Sequence, residues 1–292
     1  MGEAEGTDPV GNGAARPDEV NGRQPNRGSL TADVSGLPVR HVLGVDLAAL
    51  TRSQVVSLCR AAVADGKRLE IGVVNAAKIV NMRKDPGLNR AVSSCTIVVA
   101  DGQAVVWAAR LLRQPLPERV AGIDLFFDLL GAATATGQRV YFLGATAEVV
   151  RQTVENAKSR HPGLTVAGAR DGYFSDDEAA EVAEEIRDSA ADLLFLGMIS
   201  PKKENFVAQH GARSGALVVH GVGGSFDILA GKTRRAPELA QRLGMEWAYR
   251  IYQEPRRMWR RYLVTNSAFI AMVMRELAAP HRRSASQAEP TG

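Results

Sequence analysis

The chain has 292 residues, which is enough for one large domain, or for one domain with an appendage, and for a sizeable core. Hydrophobic residues make up 45% of it and charged residues 23%, so the composition is that of an ordinary globular protein. The formal net charge of +4 is a mild basic bias that suits an anionic partner, without distinguishing nucleic acid, phosphate and membrane.

The cysteines and histidines are too few and too scattered to form a metal cluster. Cys59 and Cys95 both lie in apolar segments, and we expect two buried, reduced thiols in a cytoplasmic protein. The five histidines are spread along the chain, so we expect neither a metal ion nor another cofactor.

The sequence shows no features of a secretory or membrane-spanning segment. Its N-terminus is polar and lacks the apolar region of a signal peptide. No stretch reaches the roughly 18 to 20 apolar residues that span a bilayer. We therefore expect a cytoplasmic protein that, if it reaches a membrane, lies on its surface.

The pattern along the chain predicts an α/β body between two polar ends. Residues 1–36 and 281–292 lack hydrophobic periodicity, and we expect both to be disordered. Within a body at 37–232, we expect strands at 69–74, 96–100, 139–144, 164–168, 192–197 and 216–221. We expect helices at 51–64, 103–112, 122–136, 146–160, 176–189 and 203–212. This alternation predicts a Rossmann-like, mostly parallel sheet with helices on both faces, and ligands of such sheets bind at the carboxyl ends of the strands.

Two segments carry charged side chains that have two interpretations each. Asp101 and Gly102 follow a predicted buried strand, where a carboxylate in a cleft can act as a general base. The alternative is that Asp101 merely caps the following helix. Glu118 and Arg119 lie in a later loop and form either part of the site or an ordinary surface ion pair.

Glycines and lysines follow the other strands. Gly144 precedes a predicted helix whose N–H groups could hold a diphosphate, although a simple turn has the same sequence. Gly223 and Gly224 would let the backbone approach a ligand closely. Lys202 and Lys203 come just before a predicted helix.

After about residue 233 the sequence becomes helical, aromatic and rich in arginine, which predicts a helical appendage at 233–280, broken near Pro255. Arginine suits bidentate phosphate contacts, and interleaved Trp and Tyr suit a membrane interface. The alternative is a solvated charged helix face. Arg250, Arg257 and Arg260 would share one helical face if the break permits.

Taken together, these segments resemble the WecG/TagA/CpsF glycosyltransferases, family 26 of the glycosyltransferases, over roughly residues 40–265. The ordered motifs that carry the resemblance are Asn75-Ala76, Ala100-Asp101-Gly102, Pro117-Glu118-Arg119-Val120, Asp171-Gly172-Tyr173-Phe174, Phe226-Asp227, Arg235-Ala236-Pro237, Glu246-Trp247-Ala248-Tyr249-Arg250 and Glu254-Pro255-Arg256-Arg257.

The resemblance implies an inverting, metal-independent transfer from a UDP-sugar to an undecaprenyl-diphosphate-linked sugar at the inner face of the membrane. The chain has no Asp-x-Asp motif, which agrees with metal independence. By the same resemblance, Asp101 is the general base and Arg119 a phosphate-binding or orienting residue. The appendage arginines Arg250, Arg257 and Arg260 would close over the diphosphate.

The resemblance also assigns substrate-binding positions. These are Val73, Asn75, Gly102, Gly144, Lys203, Glu204, Gly223, Gly224 and Asp227. Two of them depart from the family pattern, since Val73 stands where Thr is usual and Lys203 where Gln is usual. The donor therefore remains open between N-acetylmannosamine, glucose and a uronic acid, whose carboxylate a lysine could pair with.

Other functions remain as alternatives. The same residues would serve a catalytically inactive module that binds nucleotide sugar or lipid phosphate. A nucleic-acid binder using the arginine-rich helix is a third interpretation, and we expect no nucleic-acid partner. The appendage also leaves a homo-oligomer open.

Overall fold

The computed structural model describes Gly2 and residues 31–237, 240, 245–253 and 255–278. The tail predicted as disordered, 281–292, and most of the N-terminal segment lie outside these residues. The last part of that segment, 31–36, is described and touches the body. There, the backbone N–H of Ala32 donates to the carbonyl oxygen of Arg68 at 2.8 Å.

The described residues form two sheets and the helices that connect and cover them. The strands are β1 Val39–Val42, β2 Val45–Ala48, β3 Leu69–Val74, β4 Ile97–Ala100, β5 Arg139–Gly144, β6 Thr165–Arg170, β7 Leu193–Gly197 and β8 Val218–Gly221. The helices are α1 Arg52–Ala64, α2 Ala76–Lys84, α3 Pro86–Ser93, α4 Gln103–Leu111, α5 Gly122–Thr136, α6 Ala147–Arg160, α7 Ala179–Asp188, α8 Lys202–His210, α9 Ser225–Leu229, α10 Glu246–Gln253 and α11 Pro255–Ala278.

The main sheet confirms the predicted α/β fold. Among the described residues it has six strands, all parallel, in the order β4-β3-β8-β7-β5-β6. The strands lie where the short β-branched runs predicted them. β1 and β2 form a separate antiparallel hairpin.

The hairpin and the helices α2 and α3 were not predicted. Their segments are short, and α2 and α3 meet at Asp85-Pro86, which interrupts any long helical periodicity. Asp85 ends α2, and its side chain accepts a hydrogen bond from the N–H of Leu88 in α3. Pro86 occupies the first helical position, where its missing N–H costs nothing.

Successive side chains of each strand point to opposite faces of the sheet, so both faces contribute to a hydrophobic core. On one face α1, α5, α6 and α9 pack around a group of aromatic rings, in which the centroids of Phe126 and Phe195 are 4.8 Å apart. On the other face α7 and α8 cover β5 and β7, while α2, α3, α4, α11 and the hairpin cover the β4 side. The predicted helices on both faces are therefore confirmed.

The predicted helical appendage is also present, as α10 and α11. Phe269 and Val273 of α11 are buried in the same core as α2. Ion pairs between described residues connect the segment to the body: Arg235 with Asp124, at 2.7 Å, and Glu246 with Arg119, at 3.2 Å. None of the helices that the structure describes is long and apolar enough to cross a bilayer.

Both cysteines are free thiols. Cys59 is buried, as predicted, whereas Cys95 is only partly buried. Burial raises the pKa of both thiols to about 12, so neither is a ready nucleophile at neutral pH.

We expect Gly144→Ala to destabilise the fold by more than about 3 kcal/mol. The backbone φ of Gly144 is +140°, and a Cβ there would lie 2.5 Å from the carbonyl carbon of Gly197 on the neighbouring strand. Gly137→Ala is the matched control, since its φ is also positive but no atom lies within 4 Å of its Cβ position. We expect that control to lose about 1 kcal/mol. Urea unfolding of both variants measures the difference, and equal losses would contradict the close approach.

Candidate functional site

The loops after the parallel strands meet along one edge of the sheet. Because β4, β3 and β8 are neighbours, the loops that carry Asp101, Asn75 and Gly223 lie side by side. The loops after β7 and β5, with Lys203 and Gly144, continue the same edge. This is the edge at which parallel α/β sheets bind ligands.

Asp101 is held at the start of α5. Its Oδ1 accepts a hydrogen bond from the backbone N–H of Gly122, the first residue of that helix, at 3.0 Å. It does not cap α4, because that helix begins after Gly102 and has no side-chain cap. The positive end of the α5 dipole favours a negative charge at this position. The alternative of a cap on the following helix is thus wrong, and the carboxylate binds the first residue of a helix 21 residues further on.

His220, which sequence reasoning missed, binds the other side of Gly122. Its Nε2 lies 3.0 Å from the Gly122 carbonyl oxygen, and the side chain is completely buried on β8. Burial, with a smaller contribution from the ammonium groups of Lys203 and Lys78, lowers the pKa of His220 to about 4. The imidazole is therefore neutral at physiological pH, and Nε2 carries the proton that it donates to the carbonyl.

Val73 lies in the same cluster. A Cβ on Gly122 would be 3.6 Å from Val73 Cγ1 and 3.8 Å from His220 Cε1, so all three residues are in close proximity. Val73 has no hydroxyl, and the position therefore offers only an apolar surface beside the backbone that holds Asp101.

Asn75 and Gly102 bring the β3 and β4 loops together. A Cβ on Gly102 would lie 3.2 Å from Asn75 Cβ, so glycine permits the close contact. Asn75 Oδ1 accepts from the N–H of Lys78 at 3.0 Å and caps α2. Asn75 is exposed at this edge, next to the loop of Asp101. The structure thus gives Asn75 a capping role in addition to the predicted binding role.

Arg119 and Glu118 do not form the surface ion pair that was the alternative. A carboxylate oxygen of Glu118 accepts from the backbone N–H of Arg52 at the start of α1. Arg119 instead pairs with Glu246 of α10, and only 14% of its side chain is exposed. The N–H of Val120 donates to the carbonyl oxygen of Ala100 at 2.9 Å, which places Arg119 beside the strand end that carries Asp101.

Lys203 and Glu204 form a buried cluster with Lys78 of α2. The Nζ atoms of Lys78 and Lys203 lie 2.6 and 2.8 Å from the same oxygen, Glu204 Oε1. Burial works against ionisation of Glu204, but the two ammonium groups outweigh it and lower the pKa to about 2. Burial first, and Lys78 second, lower the pKa of Lys203 to about 8. When both lysines are protonated, the cluster carries one positive charge in excess.

The Lys78–Glu204–Lys203 cluster lies at the end of β8. A Cβ on Gly221 would meet Lys203 Cδ and Cε at 3.1 Å, so the lysine stem crosses this glycine. Since Gly221 is the last residue of β8 and His220 the one before it, the cluster and the Gly122 contact occupy neighbouring positions.

The remaining predicted positions are spread further along the edge. Gly144 ends β5, four strands from β4, or about 19 Å at the usual spacing, so it does not share a contact group with Asp101. Its following helix α6 is capped by Thr146. Gly223 has a φ of +53° and precedes Gly224 at the start of α9. A Cβ on Gly224 would be 3.9 Å from Asp227 Oδ2, so these positions form one turn beside β7.

The side chains of Arg250, Arg257 and Arg260 lie outside the described residues. The backbone places Arg250 in α10 and the other two in α11, so the predicted break near Pro255 is confirmed while their shared face stays a prediction. Within the described part of the chain, no group of three His, Cys, Asp or Glu side chains could hold a metal ion.

The residues that sequence reasoning missed are Lys78, Gly122, His220 and Glu246. His220 stands at the start of a glycine-rich turn, and Lys78 lies three residues after Asn75. No pattern in the neighbouring sequence predicts which residue either side chain contacts. Each acquires its role from a segment far away in the chain.

We expect the neutral His220 to make stability depend on pH. Its pKa is about 4 in the folded protein and 6.5 ordinarily, so the unfolded chain binds more protons between these values. The free energy of unfolding therefore falls as the pH drops from 6.5 to 4, by up to about 1.4 kcal/mol per pH unit. Urea unfolding at pH 4.5 to 7 measures this slope, and His220→Gln should reduce it. Equal slopes for the two proteins would contradict the assignment.

Comparison with known proteins identifies the family of the chain. The family model described as "Glycosyl transferase WecG/TagA/CpsF family" matches residues 40–283. The chain is 36% identical over 200 residues to an N-acetylglucosaminyldiphosphoundecaprenol N-acetyl-beta-D-mannosaminyltransferase of Bacillus spizizenii, covering 68% of this chain and 77% of the relative. It is 34% identical over 221 residues to a protein of the same name from Staphylococcus aureus, covering 75% and 86%. The chain therefore belongs to the WecG/TagA/CpsF family and is a glycosyltransferase.

Proposed function

We propose that this glycosyltransferase moves a sugar, with inversion and without a metal ion, from a UDP-sugar to a lipid-diphosphate-linked N-acetylglucosamine. The observation that carries the proposal is the placement of Asp101 at the ligand-binding edge of the sheet, oriented by Gly122 and beside Arg119. The acceptor is taken from the names of the relatives, which act on N-acetylglucosaminyldiphosphoundecaprenol.

Asp101 is the general base of this reaction. Its carboxylate takes the proton from the acceptor hydroxyl while the hydroxyl oxygen forms a bond to the anomeric carbon of the donor. The bond from that carbon to the UDP oxygen breaks on the opposite face, so the configuration inverts. UDP leaves with the electron pair, and the negative charge on its phosphate must be stabilised.

Arginine side chains supply that stabilisation. Arg119 already binds a carboxylate oxygen of Glu246, which supports its ability to bind an anionic oxygen at the site. A donor diphosphate would compete with Glu246 for the guanidinium. Arg250, Arg257 and Arg260 of the appendage complete the set by the family resemblance.

We place the protein in the cytoplasm, peripherally bound to the inner leaflet that carries the acceptor. The exposed side of α11 supports this placement. Besides the buried Phe269 and Val273, this helix carries several large apolar side chains that are exposed. They are Trp259, Leu263, Ile270, Met274 and Leu277. A helix with such a face suits the boundary between lipid headgroups and acyl chains.

For the donor we propose an acidic sugar such as a uronic acid. The support is the excess positive charge of the Lys78–Glu204–Lys203 cluster, which a sugar carboxylate would balance. The relatives' names support N-acetylmannosamine instead, and the two donors are distinguished by experiment.

We expect Asp101→Asn to lower the turnover number by about 10²- to 10⁴-fold, because the base is lost. The asparagine oxygen can still accept from Gly122, so the fold and UDP binding should be retained. UDP release with a short-chain lipid-diphosphate-N-acetylglucosamine acceptor measures turnover, with and without a chelator. NMR of the product gives the anomeric configuration. UDP binding without release from any donor in the unaltered protein would support the inactive binding module.

We expect the unaltered enzyme to prefer an acidic UDP-sugar in a donor panel, and Lys203→Gln to lower kcat/KM for that donor by about 10- to 100-fold, because a charge-assisted contact is lost. Neutral donors should be unaffected. Lys202→Gln is the matched control, since its Nζ binds the carbonyl oxygens of Gly172 and Phe174 instead. A preference for UDP-N-acetylmannosamine over every acidic donor would refute the acidic-sugar proposal.

A further inference from the structure

We propose that His220 is a positioning residue for the transfer reaction, acting on Asp101 through the backbone of Gly122. The inference rests on the proposed role of Asp101 as the general base. His220 does not touch the reacting atoms in this proposal. It holds the helix end from which the carboxylate takes its orientation.

Gly122 connects the two side chains directly. Its N–H donates to Asp101 Oδ1 at 3.0 Å, and its carbonyl oxygen accepts from His220 Nε2, also at 3.0 Å. Asp101 follows β4, and His220 lies on β8, with β3 between the two strands. Gly122 of α5 is therefore hydrogen-bonded to the residue that follows β4 and to a residue of β8, the two strands that flank β3.

The start of α5 depends on these bonds. Ala121 at the cap position has no side chain that could satisfy the first N–H groups, and no side-chain cap bond is formed. Gly122 has no side chain of its own to pack against the sheet. Its position is therefore decided by its backbone hydrogen bonds and by the walls that Val73 and His220 provide.

A histidine is a costly residue to bury at this position. The ring is completely buried, and among the described residues Nδ1 has no hydrogen-bond partner. An apolar side chain would avoid that desolvation cost. The hydrogen bond to Gly122 is what an apolar side chain would not provide.

The histidine is also suited to a fixed role. Burial and the nearby ammonium groups of Lys203 and Lys78 lower its pKa to about 4, so it stays neutral and keeps its Nε2 proton over the physiological range. Because the ring stays neutral, its hydrogen bond to the Gly122 carbonyl oxygen does not change with pH over this range. A base held only slightly out of place loses rate, because proton transfer needs hydrogen-bond geometry with the substrate hydroxyl.

The test compares two replacements of His220. Methionine has a similar bulk and no donor, whereas glutamine can place an amide N–H near the position of Nε2. We expect His220→Met to lower kcat by about 10-fold or more, with the KM values of donor and acceptor changed by less than about 2-fold. His220→Gln should restore most of kcat. Thermal unfolding checks that both variants are folded at the assay temperature.

A double variant links the effect to Asp101. In an Asp101→Asn background, His220→Met should cost little further kcat, because there is no longer a base to position. If His220→Met does not fold, His220→Asn takes its place, since its shorter amide does not reach the Gly122 carbonyl.

The outcomes separate this inference from the proposed function. Full turnover by Asp101→Asn alone would overturn the role of Asp101 as base. If Asp101→Asn lowers turnover as expected, the positioning role is overturned by an unchanged kcat in His220→Met, by equal losses in the Met and Gln variants, or by additive losses in the double variant. A change confined to KM would overturn it as well.

Discussion

The parallel pairing of β3 with β4 on one side and β8 on the other is the constraint on which the site depends. Val74 pairs with Ala100, so these two strands end at the same level, and their following residues, Asn75 and Asp101, meet at one edge. Ile71 pairs with His220, which brings the β8 loop to the same edge. Because parallel strands must be joined by crossover helices, each of these ends leads into a helix or a loop that can hold a ligand.

The charges of the site follow one arrangement. The partly buried cations lie against carboxylates: Lys78 and Lys203 against Glu204, and Arg119 against Glu246. Cations at partly buried positions would be costly to hold without such partners. The carboxylates therefore stabilise the site before substrate is bound, and the anionic groups of a substrate would compete with them or complete them.

Helix α5 connects the sheet edge that carries Asp101 to the appendage. Its first residue binds Asp101 and His220, and its first turns carry Asp124 and Asp128. Arg52 of α1 binds Asp128 at 2.7 Å, and Arg235, at the start of the appendage segment, binds Asp124 at the same distance. The appendage segment therefore contacts the same helix that orients the carboxylate. The burial of Phe269 and Val273 of α11 in the core around α2 adds a second attachment.

The sequence by itself predicted the strands, most of the helices between them and the position of Asp101 at a strand end. This was possible because buried parallel strands are short β-branched runs and crossover helices have a 3.6-residue period. The order of the motifs also identified the family. The tertiary structure decided which groups hold the functional side chains. It replaced the cap on α4 by Gly122, paired Arg119 with Glu246, and brought Lys78 and His220 into the site. Those contacts join residues that are 21 to 127 positions apart, and periodicity describes only neighbours within a few residues. Only the packing of strands and helices against one another brings such distant residues within hydrogen-bonding distance.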